Sequence, residues 1–98
     1  MEIKTTRNGN ELTVELEGRL DTLTSPDLEE RLDEELDGIE KIVFDLGSLE
    51  YISSAGLRVL IRVYHMMEDK GDMLIRNVTP DVMDVFEITG IIDVFDFE

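Results

Sequence analysis

The chain has 98 residues, with 24 Asp and Glu against 9 Lys and Arg, a formal charge of −15. That length fits one domain spanning 1–98, and a 42% apolar content suffices for a core without covalent staples. The acidity argues against a nucleic-acid backbone or an anionic membrane surface as partner. The absence of Cys excludes a disulfide framework, a thiol nucleophile and a thiolate zinc site.

Ile3 to Arg7 reads as a strand, and Asn8-Gly9 is a hairpin turn signal. Leu12, Val14 and Leu16 alternate with Glu11, Thr13, Glu15 and Glu17, the pattern of a half-buried strand with one wet face. Gly18 to Thr24 reads as a loop. Ser25-Pro26 predicts a helix start, with Ser as N-cap and Pro where a missing N–H is harmless. Leu28, Leu32, Leu36 and Ile39 form its apolar stripe, and Gly38 closes it. The remaining faces are acidic and read as solvated, with the added capacity to steer a basic partner.

Ile42-Val43-Phe44 reads as a short strand in the middle of a sheet. Residues 54–69 form the strongest helix, ended by Gly71. Met73-Leu74-Ile75 is a second buried strand. Thr79-Pro80 opens another helix with the same cap logic, turning Val82, Val85 and Phe86 inward. Gly90 ends it, and Val94, Phe95 and Phe97 suggest a final strand. The order is β-β-α-β-α-β-α-β, an α/β domain with one mixed sheet and helices packed on it. The opening Met1-Glu2-Ile3-Lys4-Thr5 has neither the basic nor the apolar region of an export signal, and no apolar run approaches a membrane span. A cytoplasmic location without membrane insertion is expected.

The stretch from Asp45 to Leu60 carries the most information. Ser53 and Ser54 sit where the strongest helix begins, among unpaired backbone N–H groups and a partial positive charge. One serine can cap the helix, and a phosphate on the other would sit where those donors point. Spacing alone is equally served by plain capping, and Asp21 by a plain turn role. On the helical wheel Ser54 begins the polar side, followed by Arg58, Arg62, His65 and Asp69. The arginines read as a solvated face offsetting acidic neighbours. The apolar arc is wider than one sheet contact needs, so it must also meet a helix or a partner.

Enzyme chemistry fails on inventory. Gly-x-Ser-x-Gly and the glycine-rich phosphate loops are absent. His65 lies about 16 Å along the helix axis from Ser54, too far for a nucleophile–base hydrogen bond. A single His and no Cys leave no metal cluster, and no cofactor is implied.

The segment Leu49-Glu50-Tyr51-Ile52-Ser53-Ser54-Ala55-Gly56-Leu57-Arg58 resembles the signature loop and helix start of STAS-domain proteins, specifically the anti-sigma factor antagonists. Glu17-Gly18-Arg19-Leu20-Asp21 and Ser25-Pro26-Asp27-Leu28 resemble the same family's second strand, loop and first helix. The resemblance spans essentially the whole chain. It implies a partner switch in transcription regulation. In such a switch the unphosphorylated antagonist binds an anti-sigma factor that is also a serine kinase, freeing the sigma factor. Phosphorylation of a loop serine breaks the complex, and a phosphatase resets it. The family's phosphoserine maps onto Ser54, with Ser53 a second candidate. Asp21, Ser53, Ser54, Ala55, Gly56 and Leu57 map onto the partner-binding surface, and a monomer is expected. Ser53 stands where the family often has Asp, and Ala55 where it often has Ser or Thr. Alternatives are a non-sigma partner switch, an accessory subunit of a lipid-transport complex, or a ligand or nucleotide sensor.

Overall fold

The computed structural model covers Met1–Glu98. The elements are β1 (Glu2–Asn8), β2 (Glu11–Leu20), α1 (Ser25–Glu35), β3 (Lys41–Ile52), α2 (Ser54–Met67), β4 (Asp72–Arg76), α3 (Pro80–Ile88), a 3-10 turn (Ile91–Asp93) and β5 (Asp96–Phe97). The predicted element order holds, with the 3-10 turn added. The sheet order is β1-β2-β3-β4-β5, antiparallel between β1 and β2 and parallel elsewhere.

Because the strands follow chain order across the sheet, right-handed crossovers carry all three helices to one face. The core forms there as one cluster. Leu12, Val14 and Leu16 of β2, Ile42 and Phe44 of β3, and Met73 and Ile75 of β4 meet Leu28, Leu32, Leu57, Leu60, Val82 and Phe86 from the helices. The opposite face carries charge pairs in register: Lys4 with Glu15 at 3.8 Å, Lys41 with Glu11 at 3.5 Å and Arg76 with Asp45 at 3.7 Å. No helix is long and apolar enough to cross a membrane.

Two elements run longer than their local sequence suggests. β2 continues through Gly18 to Leu20, where a loop was expected. β3 spans twelve residues rather than the Ile42–Phe44 run. The pairing explains why. Glu15 and Glu17 oppose Asp45 and Ser48, while Gly18 and Arg19 oppose Leu49 and Tyr51. Each step places one extra residue on β3, a bulge. Leu46, Leu49 and Ile52 therefore point into the core at intervals of three, which hides the two-residue period of a strand. Gly18 has φ +102, a value that disfavours any residue with a Cβ, and it sits at the second bulge.

Two predicted caps also differ. Ser25 is the first residue of α1 and not its N-cap; the cap is Thr24, without a side-chain cap bond. Thr79 does occupy the N-cap position of α3, but its hydroxyl donates to Leu49 O at 3.4 Å instead of capping.

The wide apolar arc of α2 is used within the molecule. Leu57, Val59, Leu60, Val63 and Met67 are buried, and Ile61, Tyr64 and Met66 pack against the same core. Tyr64 meets Phe95 edge-on at 5.8 Å. Arg62 reaches across to α1, with Glu29 at 3.4 Å and Asp33 at 3.3 Å.

Candidate functional site

Three segments meet at the C-terminal edge of the parallel strands: the end of β2 with its following turn, the end of β3, and the start of α2. Ser53 N–H donates to Leu20 O at 2.9 Å and ties the first to the others. Open α/β sheets present their ligand-contacting groups at this edge.

The two serines divide their roles. Ser53 is the N-cap of α2, with extended backbone (φ −95°, ψ 175°), and its Oγ accepts from Gly56 N–H at 3.4 Å. Leu57 N–H donates to Ser53 O at 2.9 Å. The capping oxygen thus satisfies one of the donors that a helix start leaves open. Ser54 is the first helical residue and is exposed, and the capping side chain is that of Ser53 rather than its own.

Gly56 explains how closely α2 approaches the sheet. A Cβ there would lie 2.7 Å from Leu20 Cγ and 2.9 Å from Ile52 Cγ1. Only hydrogen fits between the helix start and the last buried residues of β2 and β3. The resemblance places Gly56 and Leu57 on the partner-binding surface. Both are buried, Leu57 at 3% exposure, and they set the site from beneath. Asp21, Ser53, Ser54 and Ala55 remain accessible.

Asp21 is held rigidly. Its Oδ1 accepts from Leu23 N–H at 3.0 Å, Thr24 N–H at 3.1 Å and the Thr24 hydroxyl at 3.2 Å. Asp21 N–H donates to Thr24 Oγ1 at 2.9 Å, and the buried Ser25 donates its hydroxyl to Asp21 O at 2.5 Å. The Thr24 N–H holds the Asp21 carboxyl below the usual carboxylate range; partial burial opposes this, and the Thr24 hydroxyl, the Leu23 N–H and Arg19 add to it. The turn role considered for Asp21 is thus its observed local role. Its second oxygen faces Arg19 Nε at 4.0 Å.

Three residues of this edge escaped the sequence reading. Arg19 lies over the Tyr51 ring, 4.3 Å from its centroid. The two are ladder partners across the second bulge, a relation visible only once the register is known. Leu23 is 86% exposed at the tip of the Asp21 turn. An apolar residue between Thr22 and Thr24, outside any periodic stripe, was its available signal.

The site is a surface of mixed chemistry: the Asp21 carboxylate, the Arg19–Tyr51 stack, exposed Leu23 and the Ser53 and Ser54 hydroxyls. His65 sits near the far end of α2, its Nδ1 2.6 Å from Glu68 Oε1. A cavity of about 430 Å³ lies between Glu2, Lys4, Glu15, Glu17, Asp45 and Ser48, and none of Arg19, Asp21, Leu23, Tyr51, Ser53 and Ser54 lines it. Such an edge can bind a protein and expose one hydroxyl for modification.

Known proteins share this fold. The STAS domain family model matches residues 2–98. BtrV of Bordetella bronchiseptica, provisionally named an anti-sigma factor antagonist, is 38% identical over 82 residues, covering 82% of this chain and 71% of that protein. The crystal structure of an anti-sigma factor antagonist from Mycobacterium paratuberculosis superposes with a TM-score of 0.87 at 22% identity, over 98% of this chain and 83% of that one. The Bacillus protein SpoIIAA in its phosphorylated form superposes with a TM-score of 0.77 at 15% identity, over 99% of this chain and 91% of that one. These structures establish a common fold.

Proposed function

The chain belongs to the STAS-domain family, and on that footing we propose that it is an anti-sigma factor antagonist controlled by phosphorylation of Ser54. Its unphosphorylated form docks on an anti-sigma factor with serine kinase activity, so that a sigma factor is freed. Phosphate on Ser54 ends the contact, and a phosphatase restores it. The domain acts by binding and is not itself an enzyme.

The observation that carries this reading is the division of labour between the serines. Ser53 holds the helix cap, so Ser54 is free to react without dismantling the fold. A phosphate adds about −1.5 to −2 charges at neutral pH. At the first residue of a helix that charge is tolerated or slightly stabilising. SpoIIAA, which shares the fold, has a structure in its phosphorylated form, and this supports a modification that acts without unfolding. The effect then falls on the docking surface of Asp21, Leu23, Tyr51, Ser53, Ser54 and Ala55, through bulk and repulsion.

Incubation with a kinase-type anti-sigma factor and ATP, followed by mass spectrometry, tests the proposal. One phosphate is expected on Ser54, retained in Ser53→Ala and lost in Ser54→Ala. Phosphate on Ser53 alone would reassign the acceptor, and no phosphate with any cognate kinase would overturn the reading.

A further inference from the structure

We propose that Arg58 is the intramolecular receptor for a phosphate on Ser54, a positioning residue that turns the modification into a fixed feature of the docking edge. This rests on Ser54 being the modified residue. The charge inventory singles out Arg58. Acids outnumber bases 24 to 9, and most of the bases are engaged. Lys4, Arg19, Arg31, Lys41, Arg62 and Arg76 all have a carboxylate within 4.0 Å. Arg7 donates to Gly9 O at 3.2 Å. Arg58 and Lys70 have neither kind of partner, and Lys70 lies beyond the far end of α2.

Geometry places Arg58 beside the acceptor. Ser54 and Arg58 are four residues apart on α2, and both are exposed. Residues at that spacing are surface neighbours with Cβ atoms about 5–6 Å apart. Side chains in a helix lean toward its N-terminus, so the Arg58 side chain covers the turn that begins at Ser54. A guanidinium can take two phosphate oxygens through parallel N–H bonds, while the open donors of the first turn face a third. The other charged groups flanking the acceptor do not compete. Arg19 and Asp21 face each other at 4.0 Å, and Arg19 is stacked on Tyr51. Glu50, exposed near the end of β3, is an anion and can only repel a phosphate. Arg62, one turn further on, is held by Glu29 and Asp33.

The pairing has a consequence for the switch. In the unmodified protein Arg58 is an uncommitted cation at the edge, available to an acidic group of the partner. Phosphorylation then both adds an anion and removes that cation from intermolecular use.

The test uses full-length protein with phosphoserine installed at position 54 during synthesis, so that no kinase is required. Phosphorus NMR then follows the second ionisation of the phosphate, normally near 6. An adjacent guanidinium favours the dianion, so Arg58→Ala is expected to raise that pKa by about 0.3 unit, the size set by an exposed helical ion pair. Arg58→Lys, which keeps the charge, should restore most of the shift, while Arg19→Ala and Arg62→Ala should leave it unchanged. A phosphate pKa that Arg58→Ala moves by less than 0.1 unit, or one that Arg19→Ala or Arg62→Ala moves as much, overturns the assignment. Failure of a kinase to modify Ser54 would instead count against the proposed function and leave this result standing.

Discussion

Gly56→Ala should destabilise the domain even though alanine is the better helix former. Gly56 lies inside α2, so the substitution gains about 1 kcal/mol of helix propensity. Against this, the new methyl would lie 2.7 Å from Leu20 Cγ, 2.9 Å from Ile52 Cγ1 and 3.0 Å from Leu20 Cδ2. Leu20 and Ile52 are 0% and 1% exposed, so neither can swing into solvent. Overpacking at a fixed site costs about 1–3 kcal/mol. The balance is a net loss of about 1 kcal/mol, with a fall in Tm of about 4–8 °C for a domain this size. Urea unfolding of wild type and Gly56→Ala, followed by circular dichroism, measures it directly. The midpoint should fall by roughly 0.5 M with the slope unchanged. A variant as stable as wild type, or more so, would refute the close approach of α2 to the ends of β2 and β3.

Ser53→Ala should lose about 0.5–1 kcal/mol in urea unfolding, since the cap bond at 3.4 Å is long, whereas Ser54→Ala should stay within about 0.5 kcal/mol of wild type. The depressed Asp21 carboxyl binds fewer protons folded than unfolded. Its contribution is therefore complete above the ordinary carboxylate pKa of about 3.9 and disappears as pH falls through the lower folded value. Asp21→Asn should consequently flatten the acid side of the stability profile below about pH 4 and change its shape little near neutrality. Arg62→Ala removes two exposed pairs to α1, so thermal unfolding at 0.15 M salt should show a loss of no more than about 1 kcal/mol, smaller still at 1 M.

Much of the architecture is legible in the chain because local and global signals coincide. The alternation of Leu12, Val14 and Leu16 maps onto the core face of β2. Pro26 and Pro80 both mark helix starts. Ser53 and Ser54 could be read as cap and free hydroxyl because the wheel places Ser54 on the polar side. What was not legible depended on pairing. The two bulges give β3 a three-residue period at Leu46, Leu49 and Ile52, which imitates a loop. The Thr24 hydroxyl is taken by Arg19 O and the Asp21 turn, so α1 begins without the side-chain cap that Ser25 was expected to supply. Gly56 and Leu57 stand beside Ser54 in sequence but turn inward, because their side of α2 is the one pressed on the sheet. Arg19 and Tyr51 are distant in sequence and meet only through the ladder.

The acidity of the chain sharpens what a phosphate can do. Two further negative charges change little in a molecule already at −15, and interactions beyond about 8–10 Å are screened at physiological salt. The proposed switch would therefore act locally, at the first turn of α2. The most direct measurement is the affinity of a kinase-type anti-sigma factor for this protein with an unmodified Ser54 and with phosphoserine at 54, by titration calorimetry. Tight binding of the unmodified form is expected, with a loss of at least tenfold, about 1.4 kcal/mol, on phosphorylation and Tm essentially preserved. Equal affinity for the two forms, or a loss that tracks unfolding of the phosphorylated protein, would contradict it.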